Sequence, residues 1–227
     1  MNYISVAIDG PAGAGKSSIS KELAKKLDFI YVDTGAIYRS LAYSALKKGY
    51  DTKSDTDLII ELVNNCDIQL KHVDGIQRIF VDGTDVSDYI RTPDVSKGAS
   101  DVSAIPKVRE ALLSIQRNIA NTNNVLMDGR DIGTVVLPDA TIKIFLTASI
   151  DERAKRRYKE MVEKGVECSF DDIKKDIAYR DEQDSNRPVA PLKPADNALI
   201  FDNSEYSFEE SVEYLYKLIK ENVWFVI

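Results

Sequence analysis

Hydrophobic and polar positions in this chain follow two alternating periods. Short apolar runs at about 3–8, 29–32, 124–128, 142–146 and 198–202 have the length and composition of strands buried on both faces. The stretches between them carry apolar residues at helical spacing, as in Ile19, Leu23, Ala24 and Leu27 after the first run and Val212, Leu215, Leu218 and Ile219 near the end. This alternation predicts an α/β fold, a parallel sheet of five strands with helices on both faces. Helix starts are also marked. Ser149 with Glu152 and Ser207 with Glu210 each place a hydroxyl three residues before a carboxylate, and Ser169 with Asp172 is a weaker version of the same capping box.

Two regions exceed a minimal five-stranded unit. Residues 66–105 contain Ile68-Gln69-Leu70, Asp74-Gly75, Ile79-Phe80-Val81 and Asp82-Gly83, which reads as an inserted antiparallel sheet turned at Asp-Gly pairs. Residues 151–190 form two highly charged helical stretches hinged at Lys164-Gly165 and ended by Pro188 and Pro191. That charge suits a mobile cover over a polar site.

The join between the first strand and first helix carries the clearest chemistry. Gly10-Pro11-Ala12-Gly13-Ala14-Gly15-Lys16-Ser17 fits G-x-x-x-x-G-K-[ST], the loop whose backbone N–H groups cradle phosphate oxygens at a helix N-terminus. Residues Gly10 to Ser18 are the expected ATP-binding segment. Lys16 would reach the β- and γ-phosphates, and the Ser17 hydroxyl would ligate Mg²⁺. Val125-Leu126-Met127-Asp128 ends a predicted strand in a carboxylate, a second Mg²⁺ ligand beside such a loop.

Arginines recur at loop and helix positions: Arg39, Arg109, Arg130, Arg153, Arg156, Arg157, Arg180 and Arg187. A nucleoside triphosphate beside a nucleotide monophosphate carries roughly six negative charges. Mg²⁺ and Lys16 offset about three of them, and bidentate arginines suit the remainder. Arg153, Arg156 and Arg157 fall within one turn, mutually unfavourable unless an anion joins them, so they predict a lid over the γ-phosphate. Ile173 and Ile177 share a helix face with Arg180, Asp181 and Asp184, which could aim an Arg/Asp pair at a sugar. No general base stands out. A hydroxyl acceptor needs one, whereas an ionised phosphate acceptor needs only alignment and charge neutralisation.

Composition narrows the field. A net charge of −7 argues against general nucleic-acid binding. Cys66 and Cys168 lack metal-type spacing and read as free thiols. The single histidine, His72, reads as a strand residue, which removes His-dependent triads and His-rich metal sites. Asp9 interrupts the first apolar run, so no secretion signal is expected, and the tail Val223–Ile227 is too short to span a bilayer. The expectation is a cytoplasmic monomer acting on small molecules, without membrane or nucleic-acid partners, whose tail packs back on the body or contacts a neighbour.

Five segments together resemble the bacterial cytidylate kinases of the nucleoside monophosphate kinase group: Ile8 to Ser17, Asp33-Thr34-Gly35-Ala36-Ile37-Tyr38-Arg39, Val108 to Leu112, Asp128-Gly129-Arg130-Asp131-Ile132-Gly133-Thr134, and Arg180-Asp181 through Asp184 to Arg187. The resemblance implies a P-loop kinase fold with strand order 2-3-1-4-5 and transfer from ATP to CMP or dCMP with Mg²⁺. It implies a core of residues 1–33, 122–150 and 191–227, a monophosphate-binding region of 34–121 and a lid of 151–190. By motif, Ser100, Arg109 and Asp131 would recognise cytosine, Arg180 and Asp184 the pentose, and Arg39, Arg130 and Arg187 the acceptor phosphate. Thr34, where many relatives have Ser, keeps a hydroxyl for the substrate. Lys16, Arg130, Arg153 and Arg157 are the expected catalytic residues.

Two rivals remain. A P-loop kinase of another monophosphate, such as UMP, or of a hydroxyl-bearing metabolite shares the loop, although a hydroxyl kinase leaves the Gly129-Arg130-Asp131 set unexplained. A GTPase-like switch would need N-K-x-D and D-x-x-G elements, which are missing from the sequence.

Overall fold

The computed structural model describes residues 3–73 and 76–223; the expected turn at Asp74-Gly75 and the apolar residues 224–227 lie outside them. In chain order the elements are β1 (Ser5–Asp9), α1 (Lys16–Leu27), β2 (Ile30–Asp33), α2 (Thr34–Lys47), α3 (Thr56–Asn65), β3 (Ile68–Val73), β4 (Ile76–Val81), β5 (Thr84–Asp85), α4 (Pro93–Ser103) and α5 (Pro106–Ala120). They continue with β6 (Val125–Gly129), a single π-type turn (Ile132–Val136), β7 (Ile142–Thr147), α6 (Ile150–Glu163), α7 (Phe170–Asn186), β8 (Leu199–Asp202) and α8 (Phe208–Val223). The chain divides into two compact units, one made of the residues up to Tyr31 with those from Asn123 onward, the other of Val32–Thr122.

The parallel sheet runs β2-β6-β1-β7-β8. Numbered among these five strands alone, that is the order 2-3-1-4-5. β1 lies between β6 and β7, with Ile8 opposite Asp128 and Asp9 opposite Gly129. Both neighbours of the central strand therefore end level with the loop that follows it, where ligands bind in open parallel sheets. Val6, Ile8, Leu126, Ile144 and Leu146 from the sheet pack with Ile19 and Leu23 of α1 and Leu215 and Ile219 of α8. Each such side chain contributes about 1.5–3 kcal/mol on burial.

In the second unit, Ile37, Leu41, Ile59, Ile79, Val102 and Leu112 form a separate core. The inserted antiparallel sheet, β3-β4-β5, ends at Asp85. The later part of the 66–105 stretch is instead the helix α4. Its start is fixed by Thr92, whose hydroxyl accepts from Val95 N at 3.3 Å, and by Pro93 in the first turn. Gly98 and the many polar residues of α4 hide its helical period in the sequence.

The apolar cluster of the charged helices α6 and α7 is small: Ala154, Ile173 and Ile177 are its buried members, with partly buried neighbours. Gly165, at φ 71°, separates the two helices. All three capping hydroxyls accept from the expected backbone N–H. At Ser207 the box is reciprocal, with Glu210 Oε2 accepting from Ser207 N at 2.9 Å.

Candidate active site

The loop after β1 has a shape that only glycine permits. Gly10, Gly13 and Gly15 have φ of 151°, 79° and 87°, and a Cβ on Gly10 would stand 1.9 Å from the Leu146 carbonyl oxygen. Gly15 is the N-cap of α1 and offers no side chain to the first-turn N–H groups. Those donors and the helix dipole thus form a site for an anion. The loop's own carbonyls are held from behind. Lys16 Nζ donates to Pro11 O at 2.7 Å, Arg153 Nη1 to Ala12 O at 2.9 Å, and Asn203 Nδ2 to Ala14 O at 3.2 Å.

Lys16 is buried. Burial, and then the neighbouring Arg130 charge, hold its ammonium well below the usual lysine range, against the opposing pull of Asp128, Asp184 and Asp9. Phosphate oxygens in the loop would favour the charged form. Ser17 Oγ donates to Asp128 Oδ2 at 2.9 Å, and Tyr31 Oη donates to Asp128 Oδ1 at 2.9 Å. A hydroxyl and a buried carboxylate in contact suit Mg²⁺, which takes one or two protein oxygens and completes its shell with phosphate and water. Among the described residues no group of three or more His, Cys, Asp or Glu side chains is arranged to hold a metal by itself.

The segment after β6 is locked to α7 and to the residue that caps its C-terminal end by two ion pairs. Arg130 Nε donates to Asp184 Oδ2 at 2.7 Å, and Arg187 Nη2 donates to Asp131 Oδ1 at 3.3 Å. Burial acts to raise the Asp184 carboxyl, but Arg130, Arg187 and Arg180 outweigh it and hold that group below the usual carboxylate range. Behind this segment, Asp9 accepts from Ile132 N and Gly133 N, both at 2.7 Å. Here burial dominates and pushes the Asp9 carboxyl up to about 6.

The three arginines of α6 diverge. Arg153 is buried, donating to Ala148 O at 2.9 Å and Asp181 Oδ2 at 2.6 Å besides its bond to the loop. Arg156 grips Asn203 twice, at Oδ1 (3.0 Å) and the backbone O (2.8 Å). Arg157 pairs with Glu160 on its own helix at 2.9 Å and is half-buried.

Four expected site residues belong to the second unit. Thr34 opens α2, whose N-cap Asp33 accepts from Ala36 N at 3.1 Å. The other Asp33 oxygen accepts from Arg39 Nη2 at 2.7 Å and Arg91 Nη2 at 3.2 Å. Ser100 is buried on α4. Arg109 is buried on α5, donates to Ser103 O at 3.3 Å and lies 5.5 Å over the Tyr38 ring.

A family model described as cytidylate kinase matches residues 6–221. The chain belongs to the cytidylate kinase family. It is 50% identical over 216 residues to a cytidylate kinase of Streptococcus equi subsp. equi, covering 95% of each chain. It is 48% identical over 227 residues to one of Caldicellulosiruptor bescii, covering 98% of this chain and all of the relative. Among solved structures, an uncharacterized protein from Eubacterium ventriosum shares the fold at a TM-score of 0.54 with 13% identity, covering 96% of this chain and 98% of that one.

In this cytidylate kinase family member several residues that bond within or beside the candidate site were given no role there by the sequence: Asp9, Tyr31, Asp33, Arg91 and Asn203. The first three end or line strands, and of these Asp9, next to the Gly-rich loop, offered a local signal. Asn203 and Arg91 were legible only once the chain brought distant segments together. Among the described residues no helix is long and apolar enough to cross a membrane.

Proposed function

We propose that this protein transfers the γ-phosphoryl group of ATP to the phosphate of CMP, and of dCMP, in one in-line step. The single observation that carries the reading is the doubly paired segment after β6. Arg130 and Asp131 sit one strand from the phosphate loop, each oriented by a charged partner, Asp184 on α7 and Arg187 directly after it.

Backbone N–H groups of Gly10–Ser18 bind the ATP phosphates, and Lys16 steadies the β- and γ-oxygens. Ser17 and Asp128 hold Mg²⁺, which when bound neutralises phosphate charge. Arg130, with Arg39 and Arg187, grips the acceptor phosphate. Arg153 and Arg157 cover the transferring group as α6 closes. The weak surface pair of Arg157 with Glu160 is given up at little cost. Asp131, Ser100 and Arg109 read cytosine, whose N4 amino group donates beside the N3 and O2 acceptors; uracil has a carbonyl at that position. Arg180 and Asp184 hold the pentose, and Thr34 contributes a hydroxyl to the substrate. No base is needed, because the acceptor oxygen is already ionised near neutral pH. Water exclusion and alignment do the rest.

The test is ADP release with CMP, dCMP, UMP, AMP, GMP and shikimate as acceptors. CMP and dCMP should give the highest kcat/KM. Turnover of shikimate without CMP would overturn the reading.

A further inference from the structure

We infer that Asp9 is a positioning residue that fixes the acceptor-gripping segment against the phosphate loop. The inference rests on the proposed roles of Arg130 and Asp131. Asp9 immediately precedes Gly10, so its backbone belongs to the strand that launches the loop. Its two carboxylate oxygens accept from consecutive N–H groups, Ile132 and Gly133, at 2.7 Å each. These residues begin the π-type turn, in which Val136 N donates back to Asp131 O at 3.1 Å and Leu137 N to Ile132 O at 2.7 Å. A bidentate clamp of short, charge-assisted bonds across adjacent strands fixes one register between the two loops. π-turns of this kind are uncommon in helices and concentrate at functional sites.

The clamp serves one side of the site. The phosphate loop has other anchors, since Pro11 O, Ala12 O and Ala14 O are held by Lys16, Arg153 and Asn203. Loss of the Asp9 carboxylate should therefore leave ATP binding largely intact. The Ile132 and Gly133 N–H groups would lose their acceptor, and the backbone carrying Arg130 and Asp131 would drift. A shift of about 1 Å in a positioning element costs on the order of 10²-fold in rate.

The experiment measures both substrates' kinetics for Asp9→Asn, which keeps one acceptor oxygen, and for Gly133→Ala. The second variant leaves the carboxylate but places a methyl 3.2 Å from Lys143 side-chain carbons and 3.4 Å from Asp9 Oδ2. Hydrogen exchange at the 132 and 133 amides is followed in parallel. Both variants should lose about 10- to 100-fold in kcat/KM for CMP while KM for ATP stays within about twofold, and Asp9→Asn should speed exchange at those amides. Unchanged CMP kinetics, or equal losses for both substrates, would overturn the inference. If Asp9→Asn does not fold, Gly133→Ala alone decides it by the same criterion. A wild-type protein that does not turn over CMP counts against the function instead, and the exchange rates still test the clamp.

Discussion

Ser17 and Asp128 touch at 2.9 Å although they are far apart in sequence, because parallel pairing sets the end of β6 level with the start of α1. The hydroxyl and carboxylate are brought together by the sheet itself. Asp128→Asn keeps a hydrogen-bonding partner for Ser17 but removes the charge that favours Mg²⁺. Its kcat should fall by about 10²-fold or more, with half-saturation moved to higher Mg²⁺. Steady-state rates across a Mg²⁺ titration check this.

Asp184 balances a cationic neighbourhood. Its carboxyl lies below the usual range once the arginines outweigh burial, so the stabilisation it gives is present above the ordinary value of 3.8 and is lost as pH falls through its lowered value. Asp184→Asn leaves Arg130 and Arg187 without that charge and should cost about 3 kcal/mol at pH 7. The difference from wild type should shrink on acidification below about pH 4. Urea unfolding at a series of pH values reads both.

Asp9 predicts the opposite slope. Its folded pKa of about 6 exceeds the ordinary 3.8, so its contribution is full below 3.8 and is lost as pH rises through about 6. By linkage the loss amounts to about 3 kcal/mol. The stability advantage of wild type over Asp9→Asn should therefore narrow between pH 4 and pH 7, measured by the same unfolding series.

Arg153 and Arg157 separate structure from lid action. Arg153 is buried among Ala12, Ala148 and Asp181, so Arg153→Met should lower both Tm and kcat. Arg157 pairs with the half-exposed Glu160 of its own helix, a pair worth about 0–1 kcal/mol. Arg157→Ala should thus leave Tm nearly unchanged while kcat falls at least tenfold. Calorimetry alongside kcat separates the two effects.

Much of this arrangement was legible in the sequence. The five apolar runs predicted the strands, and the family's order places them as 2-3-1-4-5, as the sheet runs. Lys16, Ser17 and Asp128 were readable because loop chemistry demands fixed spacing. Helix α4 was masked by Gly98 and its polar neighbours, so the insertion read as sheet throughout. Asn203, and the partner that Asp9 takes, were hidden for another reason. Asn203 and Asp9 each act on backbone more than 100 residues away, Ala14 and Ile132 respectively, and local pattern carries no trace of such pairing. Arg156 could be seen in the α6 cluster, but only the fold aims it at Asn203 while Arg157 turns to Glu160.

The central claim is that phosphate meets phosphate. The most direct measurement incubates the protein with ATP labelled in the γ-phosphoryl group and CMP, then locates the label. Label should appear in the β-position of CDP, formed one-for-one with ADP and reduced at least 10²-fold by Lys16→Ala. Label released as free phosphate, or CDP formed at an undiminished rate by Lys16→Ala, would contradict that claim.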